Sequence, residues 1–513
     1  MGEKNGRIQL VSKSNVDGLL PKGAYLTIEE GSSKFILRVD DTQQIESYSP
    51  SPMVIDMDLK PLHQDQKCQN VISAFRIKDL ITREDGLIDY IKPQTIARRS
   101  TQEEIDSAMS GNKEGAKVFL ATVHSSQNQL LIDENHKFIT TSLPDDMFFH
   151  QILICGKTGS GKTVAMKYLA QYFVEKFDGA VLAVNVKESD LLRMNKASTI
   201  KNKQIEQEFS VLKQKPHGID NFVVYYPASV EIAVTKKVDQ EYAKKITLSV
   251  KEIDPDSLTG LLQNITDIAA QNLPNIFRAW LERKKKAVGE KEFNFNGFIK
   301  YFSNAEDNEL EFDTISTRGD ESRVRLHRGT FENIRRSLDI ALDFFDNEDA
   351  ETITEEDVLV RGKMSVIDVA VKNGKHFGAI LLRDLLHKIV NVKNQGNDVP
   401  ILIIIDEVHS FYNVNALENA LGDLDTICRT GRSQKIGVVF ASQNPTDIPS
   451  GLSSVINSKI FFKTDVPLAK SHGIVVSQEE MESLRAGFAV VSIHDLPQAK
   501  IIKFPLSFAG VFE

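Results

Sequence analysis

The sequence predicts an α/β fold: a mostly parallel sheet with helices on both faces, preceded by a small β-rich barrel and interrupted by a helical insertion. Three observations predict it. Residues 156–163, Gly-Lys-Thr-Gly-Ser-Gly-Lys-Thr, satisfy G-x-x-x-x-G-K-[ST] and lie between the apolar run 151–155 and the helically spaced stretch 164–173. Beyond residue 180, aliphatic β-branched runs alternate with helical patterns, as in a parallel sheet buried on both faces. One of these runs, 399–405, ends in the paired carboxylates Asp406 and Glu407.

Taken in order, residues 1–140 carry short β-type runs at 24–28, 35–39, 53–57, 117–121 and 129–132, with turn clusters such as Glu30-Gly31-Ser32-Ser33 and Ser49-Pro50-Ser51-Pro52 between them. That spacing predicts a small barrel or sandwich. Residues 141–230 and 346–499 read as the α/β core, with strands at 180–186, 222–226, 364–369, 401–405, 436–441, 459–463 and 488–493. Between them, 231–345 is charged and helical: Leu258, Leu261, Leu262, Ile265, Ile268 and Ala269 recur at helical spacing, as do Phe331, Ile334, Leu338 and Leu342. Its basic clusters, Arg283-Lys284-Lys285-Lys286 and Arg323 through Arg328, are either solvated edges or DNA contacts. Residues 500–513 form a largely apolar tail that either braces a neighbouring subunit or packs on its own sheet.

Composition narrows the function. With 62 Lys+Arg against 71 Asp+Glu the net charge is −9, which disfavours an outer surface that wraps nucleic acid while leaving room for a local basic channel. The cysteines, Cys68, Cys155 and Cys428, are too far apart for a metal-ligand spacing or a disulfide framework, and Cys155 reads as a small core residue. The longest aliphatic run, Ile401 to Ile405, is far too short to cross a bilayer, and the first residues carry no apolar signal region. A cytosolic protein without a membrane partner is expected.

The loop and the carboxylates point to one chemistry. A triphosphate needs converging backbone N–H groups with no Cβ atoms in the way, which Gly156, Gly159 and Gly161 allow, and Lys157, Thr158 and Ser160 complete the cradle. The following helix directs its N-terminal dipole at the phosphates, Lys162 reaches the β- and γ-phosphates, and Thr163 ligates Mg²⁺. Asp406 faces Thr163 across the metal as a Walker B aspartate, and Glu407 polarises the attacking water. Gln443, at the end of the run 436–441 and its Ser-Gln, is placed to sense the γ-phosphate. Arg429 and Arg432, just before that run, are either arginine fingers for a neighbouring subunit's ATP or part of a cationic surface turn.

These pieces together resemble a HerA-type ATPase of the HerA/FtsK group of ring-forming DNA motors. The likeness rests on His150-Gln151-Ile152-Leu153-Ile154-Cys155-Gly156 leading into the phosphate loop, on Asp406-Glu407-Val408-His409, and on Arg429-x-Gly-Arg432 followed by Ala441-Ser442-Gln443-Asn444-Pro445. It implies a RecA-like P-loop NTPase core behind a β-barrel, ATP and Mg²⁺ as cofactors, a homo-hexamer with sites between subunits, and DNA in the central channel. It also implies a separate nuclease or effector as partner, NurA-like, sirtuin-like or another nuclease. Lys162 and Thr163 then serve nucleotide and metal, Asp406 and Glu407 metal and water, Gln443 sensing, and Arg432, ahead of Arg429, the finger. After the second core strand this chain has Val184-Asn185-Val186-Lys187-Glu188-Ser189-Asp190 where DNA-processing members carry an aspartate and a Gly-bearing turn, a departure that fits the bacterial relatives of phage-defence operons. Two functions stand side by side: an ATP-driven DNA translocase or helicase, and an ATP-binding oligomeric scaffold that assembles a defence effector.

Overall fold

A computed structural model describes residues 6–12, 18–45, 69–85, 87–109, 115–124, 126–187, 191–230, 238–262, 267–286, 293–305, 309–371, 373–412, 422–448, 450–496 and 499–512. The strand expected at 53–57, Cys68, Ile265 and Glu188-Ser189-Asp190 lie outside the described residues. The chain divides into two compact units. The first comprises 1–145, 203–214 and 461–505; the second comprises 146–202, 215–460 and 506–513.

In the first unit, β1 (Arg7–Val11), β2 (Tyr25–Glu30), β3 (Ser33–Ile45), β4 (Gln69–Asp79) and β5 (Ala97–Arg99) form an antiparallel sheet in the order β1-β4-β3-β2-β5. Alternation along the strands sends Leu26, Ile28, Phe35, Leu37, Val39, Ile72 and Ala74 into one core. The expected barrel is instead an open sheet: among the described residues β1 and β5 are its two ends and do not pair. A barrel closes only when its end strands are long and tilted enough to meet in register, and β5 is three residues long. The same unit holds β6 (Ala116–His124), flanked by β7 (Gln127–Leu130) and β8 (Thr140–Leu143), and β21 (Ile501–Lys503), which pairs antiparallel with both β6 and β20 (Phe488–Ser492).

The second unit is built on β9 (Ile152–Cys155), β10 (Ala180–Asn185), β11 (Phe222–Pro227), β12 (Ala243–Thr247), β15 (Glu351–Thr352), β16 (Met364–Asp368), β17 (Ile401–Asp406), β18 (Ile436–Ser442) and β19 (Ser458–Phe461). Their order is β15-β12-β11-β16-β10-β17-β18-β9-β19, and every pair from β15 to β9 is parallel. This is the expected mostly parallel α/β core, and its strands read as continuous aliphatic runs because both faces are covered: every residue of β10, β16, β17 and β18 is buried. Parallel strands all end at one edge, where α/β sheets bind ligands. In register, Asn185 lies beside Asp368, Val184 beside Ile405, Asp406 beside Ala441 and Ser442 beside Cys155.

Between β12 and β15 stand a 3₁₀ segment, Pro255–Leu262, three helices, Asp267–Lys286, Phe295–Asn304 and Arg328–Ala341, and an unexpected hairpin of β13 (Glu311–Ile315) and β14 (Glu321–Arg325). Aromatic stacking fills their core, with Phe302 5.1 Å from Phe331 and 4.8 Å from Phe312 between ring centroids. Ile268 and Leu342, expected on buried faces, are exposed. Gly260 packs where a Cβ would lie 2.7 Å from the Ala379 carbonyl carbon, so the 3₁₀ segment reaches helix Gly374–Asn394 only because it has no side chain there. Residues 506–512 pack within their own unit: the Phe508 carbonyl accepts from Ser198 N and His217 N, and Lys167 Nζ donates to the Gly510 carbonyl at 2.6 Å. No helix among the described residues is long and apolar enough to cross a membrane.

Candidate functional site

The sheet edge gathers most of the expected site residues. β9 runs into the phosphate loop, where Gly156, Gly159 and Gly161 take φ of 158°, 76° and 113°. The last two lie in the left-handed region that glycine enters without strain, and a Cβ at Gly159 would meet nothing within 4 Å, so the loop is an open cradle. Gly161 caps the helix Lys162–Phe177 with no side-chain bond, which leaves that helix end to an outside acceptor. Lys162 is buried, its ammonium donating to the Gly156 and Lys157 carbonyls. Burial, then the charge of Lys187, push that ammonium below its ordinary value against the pull of Asp406 and Glu407. Ser160 Oγ is buried and has no hydrogen-bond partner among the described residues. A buried lysine, an idle hydroxyl and a cradle of positive-φ glycines fit an Mg²⁺-bound triphosphate. Thr163 opens the helix half-buried, and Thr158 and Lys157 are exposed on the loop.

β17 delivers the carboxylates. Asp406 ends the strand, and its Oδ1 accepts from Glu407 N at 3.0 Å. Glu407 turns the chain with φ 50° and ψ 58°, a left-handed position that costs a non-glycine residue about 1 kcal/mol or more. That turn aims a side chain only 7% exposed along the sheet edge. Glu407 Oε1 accepts from Gln443 Nε2 at 3.1 Å and pairs with Lys187 Nζ at 2.9 Å, while Lys187 lies 3.6 Å from Asp406 Oδ2. Glu407 Oε2 has no hydrogen-bond partner among the described residues, with His409 Nδ1 at 3.7 Å. Burial raises the Glu407 carboxyl, but Lys187, Gln443 and His409 more than offset it and hold it below the ordinary glutamate value. Gln443 is fixed from behind, its carbonyl accepting from Cys155 Sγ at 3.4 Å, so buried Cys155 links β9 to the end of β18.

Arg429 and Arg432 sit apart from this cluster on helix Asp423–Gln434, which leads into β18. Arg429 forks onto Asp425 at 3.0 Å to both oxygens, whereas Arg432 makes a 3.4 Å contact with Asp146 and is 64% exposed. Three residues entered the site without a role assigned to them from sequence. Lys187 is the cation on both carboxylates; His409 and Asp447 place ligand atoms with Glu407 all within 4.8 Å of one another. Asp447 is already engaged by Ser442 Oγ and closes a capping box with Asn444. Only a polar residue at the end of a core strand, Asn185, hinted at the Lys187 contact. Three of the insertion's arginines pair with its own carboxylates: Arg283 and Arg323 share Asp313 at 2.8 and 2.9 Å, and Arg325 meets Glu309 at 3.0 Å.

Comparison with known proteins finds relatives of this chain. Over 282 residues the chain is 25% identical to the DNA double-strand break repair helicase HerA of Sulfurisphaera tokodaii, covering 50% of this chain and 54% of that protein. Over 215 residues it is 25% identical to the protein of the same description from Saccharolobus solfataricus, covering 38% and 40%. These matches span about half the length of the relatives or less. Among solved structures, the bacterial conjugative coupling protein TrwBΔN70 aligns with a TM-score of 0.49 at 14% identity, over 80% of this chain and 92% of that one. The family described as Helicase HerA, central domain, matches residues 131–391, just over half of the chain and the stretch that carries the phosphate loop, and the chain belongs to that family.

Proposed function

We propose that the protein is an ATP-hydrolysing ring motor of the HerA type that translocates on or unwinds DNA together with a separate nuclease or effector. The observation that carries this reading is Glu407: a buried carboxylate at the sheet edge, ionised, oriented by Gln443 and with one oxygen unbonded among the described residues, just past the end of the strand two places from the one that leads into the phosphate loop. Simple nucleotide binding does not need that second carboxylate; hydrolysis does. Lys157, Thr158 and Ser160 with the three glycines cradle the phosphates, and Lys162 exchanges its loop carbonyls for phosphate oxygens. Thr163 and Asp406 would hold Mg²⁺, which would neutralise charge on the β- and γ-phosphates. Glu407 accepts the proton of the attacking water, and Gln443 keeps that carboxylate aimed. Arg432 is the better finger for a neighbouring subunit, since it is more exposed and more loosely held than Arg429. A homo-hexamer with DNA in its channel, in a cytosolic defence context with a NurA-like or sirtuin-like partner, is the setting that supports such a finger.

The second reading, an oligomeric ATP-binding scaffold for an effector, is favoured by Arg283, Arg323 and Arg325 of the insertion, which pair with its own carboxylates. The test is Mg²⁺-dependent ATP turnover with and without double-stranded DNA. A motor accelerates with DNA, and Lys162→Ala abolishes both basal and stimulated rates; turnover indifferent to DNA argues for the scaffold.

A further inference from the structure

We infer that Lys187 is the residue through which this site distinguishes a triphosphate from a diphosphate: its ammonium is shared between Glu407 and the γ-phosphate. The inference rests on the ATPase reading of the same site and assigns a role to a residue that the phosphate-loop and Walker B patterns do not contain.

Placement is the first argument. Lys187 reaches across from the end of β10 to Glu407 Oε1 at 2.9 Å and Asp406 Oδ2 at 3.6 Å, so its charge sits between the carboxylate that activates water and the one that faces the metal. Electrostatics is the second. Lys187, Asp406 and Glu407 all act on the charge of Lys162, so a phosphate held by Lys162 lies in the field of Lys187 as well. Lys187 also lines a cleft of about 430 Å³ together with Lys375, Glu407, His409, Gln443 and Asn444.

Support for the backbone is the third. Asn185 Nδ2 donates to the Lys187 carbonyl at 2.6 Å and to Asp368 Oδ1 at 2.9 Å, and Asn185 Oδ1 accepts from Leu191 N at 3.1 Å. Asn185 and Asp368 are both buried. The buried amide thus anchors the Lys187 carbonyl and the Leu191 N–H, so the lysine is presented by a held backbone and only its flexible stem has to move. A γ-phosphate brings more negative charge than one carboxylate and several acceptor oxygens, so it competes successfully for the ammonium. As Lys187 turns to the phosphate, Glu407 Oε1 gives up its cation and keeps the bond from Gln443. A diphosphate has no group at that position and leaves Lys187 on Glu407. Asn185 is a positioning residue in this scheme.

The experiment is equilibrium binding of fluorescent ADP and of a non-hydrolysable ATP analogue, with Mg²⁺, to the full chain and its variants. Lys187→Met is expected to weaken the triphosphate analogue about tenfold, the loss of one charge-assisted bond, and to leave ADP within about twofold, so that the preference for triphosphate collapses. Lys187→Arg, which keeps the charge, retains most of that preference. Equal weakening of both nucleotides assigns Lys187 a structural role and overturns the inference. Tighter triphosphate binding in Lys187→Met also overturns it, since Lys187 would then merely compete with the metal for the carboxylates. If the parent chain binds neither nucleotide, or Lys162→Ala binds both as well as the parent does, the ATPase reading itself falls and takes the inference with it.

Discussion

Two buried glutamates, one in each unit, are held by cations in opposite ways. Glu104 accepts five bonds: Oε2 from Thr27 Oγ1, Thr101 N and Arg98 Nη1 at 2.7, 2.8 and 3.0 Å, and Oε1 from Arg98 Nη2 and Lys34 Nζ at 2.6 Å each. Glu407 crowds its partners on one oxygen and leaves the other without a bond among the described residues. Leaving a buried acceptor unbonded costs about 1–3 kcal/mol, and the Glu407 backbone is left-handed besides. A carboxylate that only holds a fold together has every lone pair used, whereas one kept for a substrate retains a free lobe. The difference teaches how to separate a structural from a reactive acid when burial and cationic company are the same.

The sharpest way to break the comparison is Glu407→Gln, which keeps the shape and removes the basic oxygen. Turnover should fall by about 10²–10⁴-fold while the variant still binds nucleotide and remains folded, read by steady-state ATPase and nucleotide binding. Near-normal turnover would return Glu407 to the structural class. Should effector assembly survive that block, the scaffold reading gains.

Glu104→Gln should do the reverse. It leaves Arg98 and Lys34 facing a neutral amide and lowers the stability of the first unit by about 2–3 kcal/mol, measured by urea unfolding, with nucleotide affinity of the folded protein unchanged. Burial pushes the Glu104 carboxyl up, but its bonds from Arg98, Lys34, Thr101 and Thr27 drive it far below the ordinary glutamate value of 4.5. A depressed carboxyl contributes stability that is fully present above that ordinary value and is lost as the pH falls through the folded one. Unfolding of the parent chain should therefore grow easier below about pH 4.5, and Glu104→Gln should be less sensitive over that range.

The smallest effect is expected from Arg323→Ala, which removes an exposed pair with Asp313, the two side chains being 77% and 42% accessible. Stability should change by less than about 0.5 kcal/mol. A tenfold loss of duplex binding in a filter or polarisation assay would instead make the hairpin a DNA contact.

What the sequence made legible follows from range. The phosphate loop, the run into Asp406 and Glu407, and the alternation of strands and helices are local patterns, and each was readable. Lys187 was not, because its partner carboxylates arrive more than two hundred residues later through the pairing of β10 with β17. The open N-terminal sheet was misread as a barrel for a related reason: spacing of short runs reports strands, but closure depends on whether β1 and β5 meet. The hairpin of β13 and β14 hid inside a stretch whose flanks are strongly helical, and its arginines read as solvated edges or DNA contacts because Asp313 and Glu309 are placed opposite them only by folding.

The strand order also sets a timetable. β10 lies between β16 and β17, so the phosphate loop, complete by Thr163, has to wait for the chain to be made as far as Asp406 before its pocket has a far wall. At about 5–20 residues per second that is an interval of roughly 12–50 s on the ribosome. During it the apolar strands of the early half have only each other for cover. The nucleotide pocket is thus among the last features of the second unit to be assembled, and a nascent chain halted before residue 400 should be readily digested by protease whether or not ATP is present.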